Sequence, residues 1–424
     1  MSLTAIEVSS GWQPLRFDAI CSKRSEGYQP VDGGTQPYIG LEHIQQGLPA
    51  LESVGTESDV SSGKSKFETK DVLFGKLRPY LRKAVIPGFA GVCSTDILVF
   101  TALEDTVPEY LLNLCHSDQF IKHAKATTTG VQHPRTSWPS LAEFQWNVPG
   151  KDEQRQIARV LATVQQAIAQ QQAIIATTRE LKRGLMHKLF TEGLRGAAQK
   201  PTEIGLVPES WEVMPLGGCA LVQTGIAKGR RYPERTPVIA VPYLRVANVQ
   251  AGKLDLSEMK QITIAERELQ RFSLMENDVV LTEGGDFDKL GRGFIWRNEI
   301  EQCVHQNHVF AVRVNADRLD PLFFAYQSQS AYGRTYFLSV AHKTTNLACI
   351  NTTKLKAFPT LVPTLVEQQE IATTLAVVDD KLALAERKRL HYEDLFKTLL
   401  HQLMSAQLRV HELDLDALGV PALD

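Results

Sequence analysis

The side chains best suited to chemistry in this 424-residue sequence occur in small, separate groups. Cys303, His305 and His308 are metal-ligand types, but alternation along a strand puts positions 303 and 305 on one face and 308 on the other. Glu68 and Lys70 have the spacing of half a nuclease site, without a convincing second carboxylate. We therefore predict structural roles for these residues.

Motifs for methyl transfer and nucleotide hydrolysis are missing from the sequence. It has no Asn/Asp-Pro-Pro-aromatic motif of a DNA methyltransferase and no G-x-x-x-x-G-K-[ST] phosphate loop. The glycines at 284–285, 291 and 293 lack the G-x-G-x-x-G spacing of a dinucleotide site, so we interpret them as loop residues. The sequence thus predicts a chain that catalyses no reaction itself and binds no metal.

Composition indicates a globular protein with a local rather than a global charge pattern. Apolar residues make up 43% and charged residues 22%, and the formal net charge is −2, so any DNA-binding surface must be local. The six cysteines are scattered without a C-x-x-C, as expected for reduced thiols in the cytoplasm. Residues 1–10 show no signal-peptide pattern, and no apolar run is long enough to cross a membrane.

The chain contains an internal repeat. Three segments return in the same order with a slowly increasing offset: residues 38–41 as 243–246, 71–74 as 278–281, and 148–154 as 362–368. Such order is hard to explain without duplication. Each copy begins with short apolar strands, continues with a predicted short helix (108–124 and 321–337), and ends in a longer helical pattern.

A long amphipathic helix is predicted at the end of each copy. Thr364 and Glu367 form a capping-box pattern, whereas Gly150 and Glu153 give the first helix a weaker start. Heptad spacing predicts an apolar seam on each helix: Ile157, Leu161, Val164, Ile168, Gln171, Ile175, Leu181, Leu185 and Leu189 on the first, and Ile371, Leu375, Val378, Leu382, Ala385, Arg389, Tyr392, Phe396, Leu399 and Leu403 on the second. We expect the two helices, each roughly 60 Å long, to pack as an antiparallel pair.

These elements predict an α+β protein. It has two globular mixed α/β domains, joined by two long antiparallel helices that form a coiled coil with a pseudo-twofold internal repeat. The expected boundaries are a first domain at 1–150, a helix at 151–195, a second domain at 196–362 with a leading linker at 196–210, a helix at 363–410, and a tail at 411–424.

The sequence resembles the DNA specificity subunits of type I restriction–modification systems. Four motifs carry the resemblance: residues 202–211 (TEIGLVPESW), the P-x-x-x-E-Q-x-x-I-A-x-x-L start of both long helices, residues 185–193 (LMHKLFTEG), and residues 355–359 (LKAFP). They cover nearly the whole chain, whereas the tail after Val410 matches nothing that we recognise.

The resemblance implies a non-catalytic subunit in a bacterial or archaeal cytoplasm that acts in phage defence. Its two domains would be target-recognition domains, each binding one half of a split, asymmetric double-stranded DNA target, with the helices setting the gap. Two methyltransferase subunits, which bind S-adenosylmethionine and methylate a flipped adenine, would dock on it. Motor-nuclease subunits using ATP and Mg²⁺ would join for restriction, and this chain would bind no cofactor.

DNA contacts are expected in loops that differ between the copies, because Arg and Lys suit phosphates and guanine while Asn and Gln suit adenine. The candidates in the first copy are Lys64, Lys66, Lys76, Arg78, Arg82, Lys83, Thr128, Thr129, Gln132, His133 and Arg135. Those in the second copy are Lys228, Arg230, Arg231, Tyr232, Arg245, Asn248, Lys289, Arg292, His342, Lys343, Thr344 and Asn346.

Other functions stay open at the level of sequence. One is a self-contained nuclease or modification enzyme, which the missing motifs disfavour. A second is a coiled-coil scaffold that never contacts DNA, which predicts no steep salt dependence of DNA binding. A third is a specificity subunit that serves another phage-defence system.

Overall fold

The computed structural model describes residues 11–285, 289–343 and 348–415. Its internal contacts divide the chain into unit 1 (Met1–Ala173 with Ala385–Asp424) and unit 2 (Ile174–Leu384). Each unit combines short strands with helices, so the α+β class predicted from the sequence is confirmed. No described helix is both long and apolar enough to span a membrane.

Unit 1 is built mainly from the first part of the chain. Its strands are β1 (Gln13–Arg16), β2 (Cys21–Lys23), β3 (Gly27–Tyr28), β4 (Pro37–Ile39), β5 (Gly55–Thr56), β6 (Lys64–Phe67), β7 (Val72–Gly75), β8 (Ala84–Val85), β9 (Gly91–Cys93), β10 (Ile97–Ala102) and β11 (Gln145–Val148). The helices that follow are α1 (Pro108–His116), α2 (Asp118–Ala126), α3 (Trp138–Ala142) and α4 (Lys151–Glu192), and the last of these continues into unit 2.

Unit 2 lies between the two long helices. Its strands are β12 (Gln199–Thr202), β13 (Gly205–Pro208), β14 (Glu212–Pro215), β15 (Ala220–Thr224), β16 (Val238–Leu244), β17 (Val249–Gln250), β18 (Lys253–Leu254), β19 (Lys260–Ala265), β20 (Val279–Thr282), β21 (Gly284–Gly285), β22 (Gly293–Ile295), β23 (Val304–His305), β24 (Val309–Val314), β25 (His342–Lys343), β26 (Ala348–Cys349) and β27 (Pro359–Val362). Its helices are α5 (Leu269–Phe272), α6 (Pro321–Gln329), α7 (Ala331–Val340), α8 (Thr352–Lys356) and α9 (Leu365–Met404), and the last of these continues into unit 1.

The sheets of the two units repeat one another. The order β2-β10-β7-β8 in unit 1 matches β15-β24-β20-β22 in unit 2, and the pair β1-β11 matches β14-β27. Strand β4 has one antiparallel neighbour, β5, and one parallel neighbour, β9, while β16 has the same relationship to β19 and β23. The internal repeat inferred from the sequence is therefore a repeat of topology.

The repeated Asp at the start of β7 and of β20 is a buried structural residue. Asp71 accepts hydrogen bonds from Arg24 at 2.7 Å and from Thr101 at 2.7 Å. Asp278 is fully buried and accepts two hydrogen bonds from Arg313 at 2.8 and 2.7 Å. Because both carboxylates are paired, neither copy leaves an uncompensated charge in its interior.

The single short helix predicted in each copy is in fact two helices. Helix α1 ends before Ser117, whose hydroxyl caps α2 by accepting a hydrogen bond from the backbone N–H of Phe120. Helix α6 ends before Ser330, which caps α7 in the same way through Gly333. A serine that caps the following helix competes with continuation of the preceding one, and apolar periodicity alone does not reveal this.

The two long helices pack against each other in both units. In unit 1 the first half of α4, through Leu161 and Ile168, shares a core with Phe396 and Leu403 near the end of α9. In unit 2 the end of α4 shares a core with the start of α9, through Leu189 and Ile371 respectively. Start packs against end in each case, so the two helices run antiparallel, as predicted.

Both helices end earlier than the sequence predicted, at Glu192 and Met404 rather than at 195 and 410. The predicted seam is wrong at Leu181, whose side chain is 55% exposed. The seam continues instead through Thr178, which is 4% exposed, and Lys182, which pairs with Asp379 at 2.6 Å. Because these two positions are polar, an apolar pattern could not identify them.

The Gln of the repeated helix-start motif ties each long helix to the loop before the short helices. Gln154 accepts a hydrogen bond from the backbone N–H of Val107 at 2.9 Å, and Gln368 accepts one from Asp320 at 2.7 Å. Each carboxamide also donates to two backbone carbonyls. Both side chains are buried, so these bonds are shielded from water.

The chain after α9 returns to the core of unit 1. Val410 is 1% exposed there, and Leu408, Leu413 and Leu415 pack against the same apolar cluster.

Residues 196–210, which were expected to form a linker at the start of the second domain, contain the β12–β13 hairpin of unit 2.

Candidate nucleic-acid interface

Two loops of unit 1 that the sequence separates by about fifty residues form one small antiparallel element. Leu77 pairs with Arg135, and Arg135 pairs in turn with Thr129. We call residues 76–78 and 129–136 the unit 1 platform. Six predicted DNA contacts lie on it, and they are Lys76, Arg78, Thr129, Gln132, His133 and Arg135, while Thr128 directly precedes it.

Arg135 anchors this platform rather than projecting from it. Its guanidinium donates two hydrogen bonds to Asp96, at 2.8 and 3.1 Å. The Arg135 guanidinium holds the pKa of the Asp96 carboxyl below its usual value, and Lys76 and His133 add weaker favourable charge. The backbone of Asp96 also accepts a hydrogen bond from the N–H of Lys76 at 2.9 Å. The guanidinium of Arg135 is therefore already paired with a carboxylate inside the unit.

Two cations of the platform remain available. The side chain of Lys76 is half-buried and that of Arg78 is exposed, and neither makes a hydrogen bond or ion pair with any part of the chain that the structure describes. Gln132 and His133 are also exposed. These side chains offer cationic and amide donors to a ligand, which is the chemistry that phosphates and base edges accept.

Unit 2 builds the same element at the equivalent place. Strand β21 pairs with β26 through Gly284 and Cys349, and β26 pairs with β25 through Cys349 and His342. We call residues 283–285, 342–343 and 348–349 the unit 2 platform. The loops before the two long helices are therefore topologically equivalent, as their sequence positions suggested.

The chemistry of the unit 2 platform differs from that of unit 1. The backbone N–H of Glu283 donates to the carbonyl of His308, just as Lys76 donates to Asp96. Where unit 1 has a free lysine, unit 2 thus has a glutamate, whose carboxylate lies 2.5 Å from Nδ1 of His308. Gly285 stands in the position of Arg78. One scaffold thus presents two different surfaces.

Other predicted contacts in unit 2 lie near this platform. The backbone carbonyl of Lys289 accepts a hydrogen bond from Thr282 at 2.7 Å. The Nε of Arg292 is buried without a partner among the described residues. Lys343 belongs to β25, and only its backbone is described. Thr344 and Asn346 lie outside the described residues.

A second basic group of unit 2 is organised by one carboxylate. Glu268 pairs with Arg230 at 2.9 Å and accepts a hydrogen bond from the hydroxyl of Tyr232 at 2.7 Å. The guanidinium of Arg230 also lies over the Tyr232 ring, 5.7 Å from its centre. Lys228 and Arg231 are exposed beside them. The loop thus presents two cations and uses a third internally.

Unit 1 has a corresponding anchored loop that the sequence analysis missed. Glu57 accepts hydrogen bonds from the hydroxyl of Tyr28 at 2.6 Å and from the backbone N–H groups of Gln36 and Val31, at 3.0 and 3.3 Å. These bonds, that of Tyr28 above all, lower the pKa of Glu57. A tyrosine at the start of the equivalent loop in both copies was the available signal, but nothing in the sequence linked it to a distant glutamate.

Lys64 and Lys66 lie on strand β6 and both are engaged within unit 1. The ammonium of Lys64, a side chain only 7% exposed, donates to the carbonyl and the hydroxyl of Ser62, each at 2.7 Å. Lys66 pairs with Glu26 at 2.6 Å, with both side chains partly exposed. Surface pairs of this kind contribute little to stability and exchange readily, so Lys66 remains a candidate contact.

Arg82 and Lys83 support the frame of unit 1. Arg82 donates to the backbone carbonyl of His116 at 3.0 Å and pairs with Asp118 at 2.5 Å. Lys83 donates to the backbone carbonyl of Leu41 at 2.6 Å. The charged heads of both side chains are therefore directed to partners inside the unit, and Arg78, four positions before Arg82, is not.

Asn248 and Arg245 have internal roles in unit 2. Asn248 is 3% exposed, and its amide donates to the backbone carbonyls of Asp255 and Glu258, at 2.8 and 3.1 Å. Arg245 donates to the carbonyl of Glu258 as well, at 2.8 Å. An amide used in this way is not free to bind an adenine edge, so the structure gives Asn248 a structural function.

The candidate metal ligands have separate partners. Nδ1 of His305, which is fully buried, donates to the backbone carbonyl of Val309 at 2.7 Å. Cys303 contacts the carbonyl of Val304 at 3.5 Å, and His308 pairs with Glu283. Across residues 11–285, 289–343 and 348–415, no three His, Cys, Asp or Glu side chains group in a way that could hold a metal ion.

In sequence and in fold, the chain is similar to specificity subunits of type I restriction–modification systems. Residues 208–391 match the family described as type I restriction modification DNA specificity domain. The MjaVIII type I restriction enzyme specificity subunit of Methanocaldococcus jannaschii is 24% identical over 96% of both chains. The fold matches the S subunit of a type I restriction-modification system from M. genitalium (TM-score 0.55, 13% identity, 95% of this chain and 98% of that one). It also matches a chain from a type I R-M system solved to study complex assembly (TM-score 0.54, 18% identity, 95% and 100%).

Proposed function

We propose that this chain is a type I restriction–modification specificity subunit that binds double-stranded DNA and directs partner enzymes to a split target sequence, which its similarity to such subunits supports. In this proposal unit 1 binds one half of the target and unit 2 binds the other. The long helices α4 and α9 set the spacing between the halves. The chain itself catalyses no reaction.

The observation that best supports this function is the pair of platforms. Both units pair three antiparallel segments before a long helix, yet Lys76 and Arg78 in one are replaced by Glu283 and Gly285 in the other. Two copies of a scaffold with different side chains suit two different half-sites. The target is therefore expected to be asymmetric rather than palindromic.

The chemistry of the unit 1 platform suits DNA in particular. Arg78 is exposed and unpaired among the described residues, and Lys76 lies two positions before it. Such cations neutralise phosphates and position the protein, while neighbouring amides and hydroxyls bind base edges. A scaffold without DNA contact gives no reason for a free Arg on a platform that a bidentate Arg135–Asp96 pair holds in place.

The partners in this proposal are those of the related systems. Two methyltransferase subunits would dock on the long helices, bind S-adenosylmethionine and methylate adenine, and motor-nuclease subunits using ATP and Mg²⁺ would join them in the cytoplasm. Exposed apolar residues support such docking within unit 2. Val377 and Leu384 on α9, and Ile174 and Leu181 on α4, are each one heptad apart and 39–62% exposed, so each helix presents an apolar row.

Mapping DNA methylation tests the proposal directly. The chain is co-expressed with its cognate methyltransferase subunit, and adenine methylation is mapped across the host genome. We expect a split motif with one methylated adenine in each half, on opposite strands. Exchanging residues 1–150 for those of another specificity subunit should then change one half-site and leave the other.

The alternatives give different results. Absence of methylation, or methylation at a short continuous motif, would overturn the proposal and favour the scaffold. Cleavage or methyl transfer by the purified chain alone would show that it is an enzyme. A split motif that appears only with subunits of a different defence system would keep the DNA-binding function and change its partners.

A further inference from the structure

The apex of the unit 1 platform carries an apolar side chain with no cover. Val131 is 100% exposed, in the turn between the paired residues Thr129 and Arg135. Among the described residues the next most exposed large apolar side chain, that of Val366, is 66% exposed. A single exposed valine is common on a protein surface, so its exposure shows only that the side chain is available for contact, and its surroundings decide the partner.

The hairpin below Val131 is held in a defined conformation. Thr129 and Arg135 exchange backbone hydrogen bonds of 2.9 and 3.0 Å, and Gly130 supplies the left-handed backbone of the turn (φ +91°). Arg135 is fixed in addition by its bidentate pair with Asp96. Val131 is therefore presented in a short turn that one antiparallel bridge closes at its base.

The surroundings of Val131 decide what it can contact. Gln132 and His133 follow it in the turn, and Lys76 and Arg78 flank Leu77 in the adjoining segment of the platform. One apolar side chain among polar and cationic ones is too small a patch for a protein partner, since stable interfaces bury roughly 800 Å² per side. It suits a polyanion that presents single apolar groups.

The major groove of DNA has that combination of properties. Each thymine exposes a 5-methyl group there, and a two-stranded ribbon fits between the phosphate backbones. If the turn entered the groove with Val131 foremost, Val131 would reach the bases. Arg78 and Lys76 would then lie at the level of the phosphates.

We propose that Val131 contacts the 5-methyl group of a thymine in the half-site bound by unit 1, and so contributes to its sequence specificity. This inference rests on the proposed function, because it requires that unit 1 binds DNA. It adds a specificity-determining residue that charge and hydrogen-bonding capacity could not indicate from sequence.

Deoxyuridine substitution tests the contact, because it removes only the thymine methyl group. The complex of this chain with its methyltransferase subunit is titrated with duplexes in which each thymine of the unit 1 half-site is replaced in turn. We expect one replacement to weaken binding by about three- to fivefold, the effect of burying a single methyl group. The same replacement should have no effect on the Val131→Ser complex.

Val31→Ser is the matched control, since Val31 is also an exposed valine of unit 1, at 59% exposure, in a different loop. That complex should keep the full response to deoxyuridine. Because both valines are exposed, neither variant should change the thermal unfolding of the chain.

Four results would overturn the inference. In the first three, the half-site contains no thymine on either strand, no replacement weakens the wild-type complex, or the response persists in Val131→Ser. In the fourth, Val131→Ser loses the same affinity for every duplex, which would indicate insertion between bases. Each of these leaves split-site binding intact, whereas failure of the proposed function would abolish sequence-specific binding altogether.

Discussion

Arg409 donates two hydrogen bonds to the carboxylate of Glu153, at 2.8 and 2.9 Å, and so joins residues 256 positions apart in the sequence. Glu153 also accepts a hydrogen bond from the indole N–H of Trp12 at 3.0 Å, and the Arg409 guanidinium lies over the Trp12 ring. Three distant segments of unit 1 therefore meet at one carboxylate, which lies in the first turn of α4.

Replacing Arg409 by Met should destabilise unit 1. The variant loses two charge-assisted hydrogen bonds and a cation–π contact in a region only about one-fifth exposed, and we expect a cost of about 1–3 kcal/mol in the free energy of unfolding. Urea unfolding followed by hydrogen exchange in unit 1 peptides measures this cost.

Arg195 provides the matched control, because it precedes Arg409 by 214 positions, the same offset that separates the two copies of the helix-start motif. It is exposed, and no described carboxylate pairs with it. Arg195→Met should leave the stability of both units within about 0.5 kcal/mol of the wild type. Equal losses in the two variants would show that the Glu153 contact has no special importance.

Gln154 and Gln368 should be the most sensitive positions of the repeated helix-start motif. Replacing either by Leu removes three hydrogen bonds and leaves buried backbone groups without partners, so we expect a loss of about 2–4 kcal/mol in its own unit. Unit-resolved hydrogen exchange should place the loss of Gln154→Leu in unit 1 and that of Gln368→Leu in unit 2. Gln166, exposed on the same helix, is the control, and a comparable loss in Gln166→Leu would contradict the assignment.

Arg78→Gln should weaken DNA binding without unfolding the platform. If Arg78 neutralises one phosphate, the slope of log affinity against log salt concentration should fall by about 0.9, with affinity lost for all sequences alike. Binding of the methyltransferase complex to its duplex at several salt concentrations measures this slope. Lys122→Gln, which removes an exposed cation from α2 outside the platform, should leave the slope unchanged. Loss of discrimination at one base pair, with an unchanged slope, would instead identify Arg78 as a base contact.

The stability of unit 1 should fall below neutral pH because of His116. Its Nε2 donates to the carbonyl of Ala84, its Nδ1 is buried without a partner among the described residues, and burial lowers its pKa to about 4. The unfolded chain binds a proton near pH 6.5 and the folded unit does so only near pH 4. Stability is therefore constant above about pH 6.5 and declines between pH 6.5 and 4, by about 3 kcal/mol in total.

His116→Gln isolates this contribution, because glutamine can still donate to the Ala84 carbonyl but does not titrate. Relative to the wild type, the free energy of unfolding of this variant should rise as pH falls from 6.5 to 4.5. The exposed His411→Gln serves as control and should follow the wild-type pH profile. Parallel profiles for His116→Gln and wild type would contradict a neutral buried imidazole.

The repeat and the long helices were predictable because they depend on patterns that sequence displays. Helix seams repeat every three or four residues, so Leu161 and Leu375 were identified as core positions, and both are fully buried. Leu181 was wrongly predicted to lie in the seam, because the seam at this point consists of the polar residues Thr178 and Lys182. Lys182 pairs with Asp379, a partner that no local pattern reveals.

The candidate interface was less predictable, because charge does not say where a side chain is directed. Arg78 and Arg82 lie four positions apart in one basic stretch, yet one is unpaired among the described residues and the other pairs with Asp118. The motif Gln at position 154 was visible as a repeated letter, but its function depends on backbone groups nearly fifty residues away. Val131 attracted no attention in sequence, since only its exposure distinguishes it.

The two units also differ in when they can be completed during synthesis. The core of unit 1 includes Phe396, Leu399 and Leu403, and the ribosome makes these residues only after the whole of unit 2. At about 5–20 residues per second, the nascent first unit waits roughly 10–40 s with an uncovered apolar surface. Unit 2, whose residues are contiguous in the chain, can fold first, and unit 1 is the part that needs protection from aggregation while translation continues.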